Sequence, residues 1–182
     1  MAILLIDMDG VVADFDEGHQ RMCRERGLPA HLECNDREVW DVLDVVGEEW
    51  RNTVMELWHS PGFFAGLLPI PEAVETLHEW LRKGHKVFLC TAPLMNSETC
   101  AQEKISWVRQ HVGPEFVRRT IITSDKTLVN GDILLDDKPS IHGVALPSWK
   151  HLIYAARPNR NLHVGTFTWA QAKQYVSNLR VT

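Results

Sequence analysis

Ala2-Ile3-Leu4-Leu5-Ile6-Asp7-Met8-Asp9-Gly10 opens with an unbroken apolar run and stops at two aspartates and a glycine. A strand that is apolar at every position has both faces buried, and such strands belong to parallel sheets. Two further runs have the same form. Lys86-Val87-Phe88-Leu89-Cys90 ends at Thr91, and Ile133-Leu134-Leu135 ends at Asp136-Asp137. Shorter strand candidates lie at Thr120–Thr123, His151–Ala155 and Val164–Phe167.

Helical periodicity separates these runs. Ala73, Val74, Leu77, Trp80 and Leu81 form one apolar stripe, with Pro71 at the expected first turn and Gly84 at the expected C-terminal cap. Ala101, Ile105, Val108 and Val112 form a second, closed by Gly113-Pro114, and Trp169, Ala172, Val176 and Leu179 form a terminal one. Strands alternating with helices of this length imply βαβ units and a Rossmann-like α/β parallel sheet flanked by helices. Asp16 to Leu68 breaks the alternation: Trp50, Val54, Leu57 and Trp58 share a helical face, and no strand is convincing. The expected organisation is therefore an α/β core at 1–15 and 69–182, with a helical cap inserted at 16–68.

At 182 residues, 45% hydrophobic and 24% charged, the chain fits one domain that needs no disulfide to hold its core. A net charge of −5 argues against binding a nucleic-acid polymer, which calls for a basic face. It also means that an anionic ligand has to be met by a metal ion or a few well-placed cations. Cys23, Cys34, Cys90 and Cys100 make no CxxC pair and no zinc spacing, so free thiols in a reducing compartment are expected. The first residues lack the basic region of a signal peptide, and no apolar run has the ~18 residues of a membrane span. The expected setting is cytoplasmic, with no membrane partner.

The rule that ligands bind beyond the carboxyl ends of parallel strands gathers Asp7, Asp9, Thr91, Asp136 and Asp137 on one edge. Lys126, in the loop Ser124-Asp125-Lys126-Thr127, reaches the same edge. This inventory suits phosphoryl transfer. A carboxylate can attack phosphorus and split one difficult displacement into two easier ones. Mg²⁺ favours a few carboxylate and phosphate oxygens with retained water. Thr91 can donate to a phosphoryl oxygen, and Lys126 adds charge where negative charge accumulates. Asp9 as an acid faces a cost: an ordinary aspartate at pH 7 is protonated about once in a thousand, a penalty of roughly 4 kcal/mol. Its side chain should therefore stay off the metal, with burial and negative neighbours raising its pKa. Asp14 and Asp16 suit a turn and helix start, and Trp50 suits the core. The nine histidines form no metal set.

Asp7-Met8-Asp9-Gly10-Val11-Val12-Ala13-Asp14-Phe15, the run ending Cys90-Thr91-Ala92-Pro93, Asp125-Lys126-Thr127 and Leu135-Asp136-Asp137-Lys138-Pro139 resemble, in chain order, the four motifs of the haloacid dehalogenase superfamily. Pro61-Gly62-Phe63-Phe64 with Leu68-Pro69-Ile70-Pro71, Gly113-Pro114-Glu115-Phe116-Val117 and Pro147-Ser148-Trp149-Lys150-His151 extend the resemblance to its 5′(3′)-deoxyribonucleotidases. The resemblance covers most of the chain and is weakest at about residues 28–57.

It implies a Mg²⁺-dependent phosphatase acting on a nucleoside monophosphate through an aspartyl-phosphate. Asp7 would be nucleophile and metal ligand, and Asp9 acid/base and a ligand through its carbonyl. Asp137 would be the remaining protein ligand, supported by Asp136, while Thr91 and Lys126 hold the phosphate. Phe15, Val39, Trp40 and Trp58 fall at the pocket for base and sugar. Val39 stands where the family has phenylalanine, Ala92 where it has serine and Ser124 where it has arginine, so the nucleotide chosen stays open. Another small phosphate ester such as a sugar phosphate, a phosphomutase reaction and a non-catalytic binding module are the alternatives; the last sits poorly with an intact set of reactive residues. Homodimerisation through the cap or the helices has no sequence marker.

Overall fold

A computed structural model describes residues 1–159 and 165–179. Six parallel strands form one sheet: β1 (Ile3–Ile6), β2 (Lys86–Thr91), β3 (Thr120–Ile122), β4 (Ile133–Asp136), β5 (Lys150–Tyr154) and β6 (Thr166–Phe167). Their spatial order is β3-β2-β1-β4-β5-β6. The fold class read from the sequence is the one observed. The strand read as His151–Ala155 is displaced by one residue, and Val164 of the last strand candidate lies outside the described residues.

The central strand explains why the apolar runs are continuous. Leu4 and Ile6 join the main core with Val87, Leu89, Ile133, Leu135 and Leu152. Leu5, pointing the other way, packs with Cys90, Leu134 and Trp149. Both faces of β1 are thus buried, and its side chains alternate between two cores as the strand period requires. The main core is covered by helices, including α3 (Ala73–Arg82), α4 (Cys100–Trp107) and the helix Trp169–Ser177. The smaller one is closed by Trp149, Val129 and Ile141 from loops. The connections after β3 and β4 hold only a short 3-10 turn, Lys126–Leu128, and irregular chain.

Gly84, in the left-handed region at φ 87°, closes the end of α3 as expected, whereas the helix begins only at Ala73, after Pro71. The stripe expected over 101–112 holds at Val108 and Val112 and is off by one before them. Ala101 is exposed and Ile105 half-buried, while Cys100, Lys104, Trp107 and Val108 face the core. The helix then loosens into a π turn at Val108–Val112.

Between β1 and α3 lie α1 (Phe15–Glu25), 3-10 turns at Ala30–Glu33 and Val42–Asp44, α2 (Glu48–His59) and a turn through Phe63 and Phe64. The chain leaves and returns at one place. Ala13 bridges Pro69, Asp14 N–H donates to Leu68 O at 2.7 Å, and Ile70 N–H to Val12 O at 2.8 Å. His19 of α1 ties this segment together. Trp58 Nε1–H of α2 donates to its Nδ1 at 3.1 Å, so the ring's own proton sits on Nε2 and goes to Leu32 O at 2.7 Å.

Candidate active site

The site forms where β1 has its partners β2 and β4 on either side, the switch point at which a parallel sheet opens a crevice. Register puts Ile6 beside Leu89 and Leu135, so Asp7 emerges level with Cys90 and Asp136. The Asp7 N–H donates to Leu135 O at 2.8 Å, which extends the ladder by one residue and fixes the aspartate. Beyond it the chain curls, with the amides of Val12 and Ala13 both donating to Met8 O at 2.8 Å. Gly10 is required in this curl. Its φ is 75°, and a Cβ there would stand 2.5 Å from Asp137 Oδ2.

The carboxylates of Asp7, Asp136 and Asp137 place one oxygen each within 4.8 Å of one another, all three residues buried. Lys126 Nζ contacts Asp7 Oδ1 at 2.6 Å and Asp136 Oδ2 at 2.5 Å. Burial alone would depress the Lys126 pKa, but Asp7 and Asp136 outweigh it and hold the ammonium well above its ordinary value. Asp136 Oδ1 accepts from the Lys138 amide at 2.9 Å, so both its oxygens are engaged. Burial pushes Asp137 well above the usual carboxylate range, and Asp136 and Asp7 push it further. Asn159 donates to the Asp137 backbone carbonyl, and Trp40 Nε1–H to its Oδ2 at 2.9 Å. Three crowded, buried acids with one lysine among them keep an excess of negative charge. An oxygen-only donor set of that kind is compatible with a divalent cation.

Asp9 turns away from that cluster. Its Oδ2 accepts from Lys104 Nζ at 2.6 Å, and its buried Oδ1 has no hydrogen-bond partner among the described residues. Burial raises its pKa, Lys104 opposes the rise and Asp7 adds to it. Thr91, at the end of β2, accepts from Lys104 at 2.7 Å, which leaves its own hydroxyl proton free to donate elsewhere. No motif in the sequence around Lys104 marks it for the site. A lysine in a helix reads as a solvated charge, and the only signal was its register with Cys100, Trp107 and Val108.

A cavity of about 450 Å³ opens above these residues, lined by Asp7, Asp9, Thr91, Lys126, Asp136 and Asp137 below. Phe15, Trp40, Trp58 and Phe64 contribute to its upper wall. The Phe15 and Trp58 rings meet edge to face at 5.3 Å, and Lys138 Nζ lies 4.9 Å from the centre of Trp40. The expected pocket residue Val39 does not line this cavity. Its side chain is 43% exposed and lies outside the cavity lining, because the turn that brings Trp40 inward sends its neighbour out. Its carbonyl accepts from Arg37 Nε at 3.2 Å. Arg37 itself is buried in the cavity wall and paired with Asp16. Asp14 caps α1, accepting from the Glu17 amide at 3.0 Å, whereas Asp16 serves the wall more than the helix start. Trp50 is half-buried against the core beside His31.

A family profile described as "5' nucleotidase, deoxy (Pyrimidine), cytosolic type C protein" matches residues 1–181. The human cytosolic-type 5′(3′)-deoxyribonucleotidase is 39% identical over 166 residues, covering 87% of this chain and 82% of that protein. The human mitochondrial enzyme of the same name is 36% identical over 168 residues, covering 88% and 73%. Among solved structures, a HAD family hydrolase from Deinococcus radiodurans R1 superposes with a TM-score of 0.51 at 16% identity, covering 96% of this chain and 94% of that one. A hydrolase from Pseudomonas syringae superposes at 0.52 with 10% identity, covering 98% and 99%. The last two likenesses speak for the fold alone; the profile and the human relatives carry the family. With its four motif groups drawn to one sheet edge, this chain belongs to the 5′(3′)-deoxyribonucleotidase family of the haloacid dehalogenase fold.

Proposed function

We propose that the protein hydrolyses the phosphate monoester of nucleoside monophosphates, with Asp7 as nucleophile, Asp9 as acid and base, and Mg²⁺ as the metal. The observation that supports this most is the convergence of Asp7, Asp136, Asp137 and Lys126 beneath an aromatic-walled cavity, with one oxygen of Asp9 lacking a hydrogen-bond partner among the described residues. Asp7 and Asp137 would hold the metal with their carboxylates, and Asp9 with its backbone carbonyl. A divalent ion there supplies positive charge against the phosphoryl oxygens.

The Asp7 carboxylate attacks phosphorus and forms an aspartyl-phosphate, while Asp9 gives its proton to the departing nucleoside oxygen. Water then attacks the same phosphorus, Asp9 takes up the water proton, and inorganic phosphate leaves with the Asp7 carboxylate restored. Lys126 and the Thr91 hydroxyl bind the phosphoryl oxygens, and Asp136 holds Lys126 in place. Phe15, Trp40 and Trp58 enclose base and sugar, and the cavity volume falls in the range of roughly 300–1,000 Å³ usual for small-molecule sites. No helix among the described residues is long and apolar enough to cross a membrane. The four free cysteines and the likeness to the human cytosolic-type enzyme support a cytoplasmic setting.

A panel of nucleoside and sugar monophosphates with Mg²⁺ tests the reading. Nucleotides should release inorganic phosphate with kcat/KM at least about tenfold above any sugar phosphate, the discrimination that one well-filled apolar pocket supplies. Preference for a sugar phosphate, or an isomerised product without free phosphate, would overturn it.

A further inference from the structure

We infer that Lys104 is a positioning residue that sets the carboxylate of Asp9 for proton transfer, an inference that rests on the reaction proposed above. The ammonium of Lys104 sits wholly inside the protein, its side chain 1% exposed. It has three protons, and three acceptors take them: Asp9 Oδ2 at 2.6 Å, Thr91 Oγ1 at 2.7 Å and Ala92 O at 2.6 Å. Nothing is left over for a ligand, and Lys104 is absent from the cavity lining, in contrast to Lys126. Its charge is spent on orienting its neighbours.

Two of those acceptors are anchored at the end of β2, so the third, Asp9, is held against a fixed frame. Pinned through Oδ2, the carboxylate keeps Oδ1 as its only oxygen without a partner among the described residues. That enclosed oxygen is the one not committed to Lys104, and in the reaction proposed above it would carry the proton for the leaving group. The same contact turns the Thr91 hydroxyl proton away from Lys104.

The helix that carries Lys104 is itself fixed to the opposite wall. Glu103 accepts from the amides of Gly62 at 2.8 Å, Phe64 at 3.0 Å and Ala65 at 3.2 Å. Trp107 Nε1–H donates to Leu67 O at 2.7 Å. Lys104 Nζ also lies 5.2 Å from the centre of the Phe64 ring, which lines the cavity. The position of the acid is thereby tied to the segment that walls the nucleoside side of the site.

The test is single-turnover release of the leaving group by wild type, Lys104→Met, Asp9→Asn and the double variant. With a nucleoside monophosphate, Lys104→Met should slow release about 100-fold, the lower end of what a positioned acid contributes. KM should stay within about threefold, because Lys104 lines no part of the cavity and Thr91, which only accepts from it, keeps its own hydroxyl proton for the phosphoryl group. With p-nitrophenyl phosphate, whose leaving group needs no proton, the loss in the first turnover should be at most about fivefold. In the Asp9→Asn background Lys104→Met should cost nothing further, since groups acting as a unit are not additive. Equal losses on both leaving groups, or an additive loss in the double variant, would make Lys104 a structural ion pair and overturn the inference. Unchanged rates for Lys104→Met beside an impaired Asp9→Asn would do the same while leaving the reaction intact. An Asp9→Asn enzyme as fast as wild type would instead overturn the reaction. Lys104→Gln, neutral yet still a donor, takes the same comparisons if the methionine variant does not fold.

Discussion

The floor of the cavity hangs from the ends of β1, β2 and β4, whose backbones are locked in a parallel ladder, whereas its upper wall is carried by Phe15, Trp40, Trp58 and Phe64 on chain without strands. On the floor, charge is concentrated and paired: Lys126 with Asp7 and Asp136, Lys104 with Asp9. In the wall, ring contacts and the hydrogen bonds of His19 hold the pieces together. A ladder fixes reacting atoms to a fraction of an ångström, as bond making demands. Apolar packing fixes a surface, as enclosing a base demands. Damage to the floor should therefore appear in kcat, and damage to the wall in KM and in local stability.

The largest effect expected is that of Asp7→Asn, which removes the nucleophile while keeping shape and hydrogen bonding. Turnover should fall by about 10⁴-fold or more, the scale seen when the central member of a catalytic unit is lost. A residual rate within tenfold of wild type would remove Asp7 from the chemistry. Metal removal comes next. Chelation should abolish turnover, and Mg²⁺ should restore it. Because Asp7, Asp136 and Asp137 repel one another when ionised, Mg²⁺ should also raise the melting temperature, by preferential binding to the folded state. That rise should be missing in Asp137→Asn; an equal rise in both proteins would put the ion elsewhere.

The floor was largely legible in the sequence because its residues follow apolar runs, and a charge directly after a buried strand has few places to go. Asp7, Thr91 and Asp136 occupy such positions. Lys104 was not legible, since its role depends on a helix register that Ala101 and Ile105 disguised and on an aspartate far away in the chain. The wall was legible only in part. Trp40 and Trp58 do line the cavity, yet Val39, adjacent to one of them, faces solvent. In irregular chain no period of two or 3.6 decides which way a side chain points. The burial of Arg37 against Asp16 escaped for the same reason.

Trp58 offers a way to sharpen the division between floor and wall. Trp58→Ala should raise KM for a nucleoside monophosphate by about tenfold, from a stacking contribution of ~1–3 kcal/mol, and leave kcat within about threefold. Trp58→Phe keeps a ring but loses the N–H that His19 accepts at 3.1 Å. It should change KM little and lower stability by about 1 kcal/mol, as a single buried hydrogen bond does. A Trp58→Ala enzyme with intact KM and a kcat as low as that of Asp7→Asn would show that the wall cannot be separated from the chemistry.

The smallest effect expected lies in the wall's response to pH. Burial is the main reason His19 titrates below its ordinary value of 6.5; Arg37 adds to the shift, while the hydrogen bond to Leu32 and the charges of Asp16 and Glu33 oppose it. The fold accepts the neutral ring, because Nδ1 must stay bare to accept from Trp58. The unfolded chain therefore binds the proton more readily than the folded one. The stability contributed by neutral His19 is complete above about pH 6.5 and drains away as pH falls from there through the lower folded-state value. His19→Gln does not titrate but can still accept from Trp58 and donate to Leu32. Between pH 7.5 and 5.5 the melting temperature of wild type should drop more than that of His19→Gln, with the carboxylate contributions cancelling in the difference. Parallel curves would mean that the proton reaches His19 without disturbing Trp58, and the wall would then be looser than its hydrogen bonds suggest.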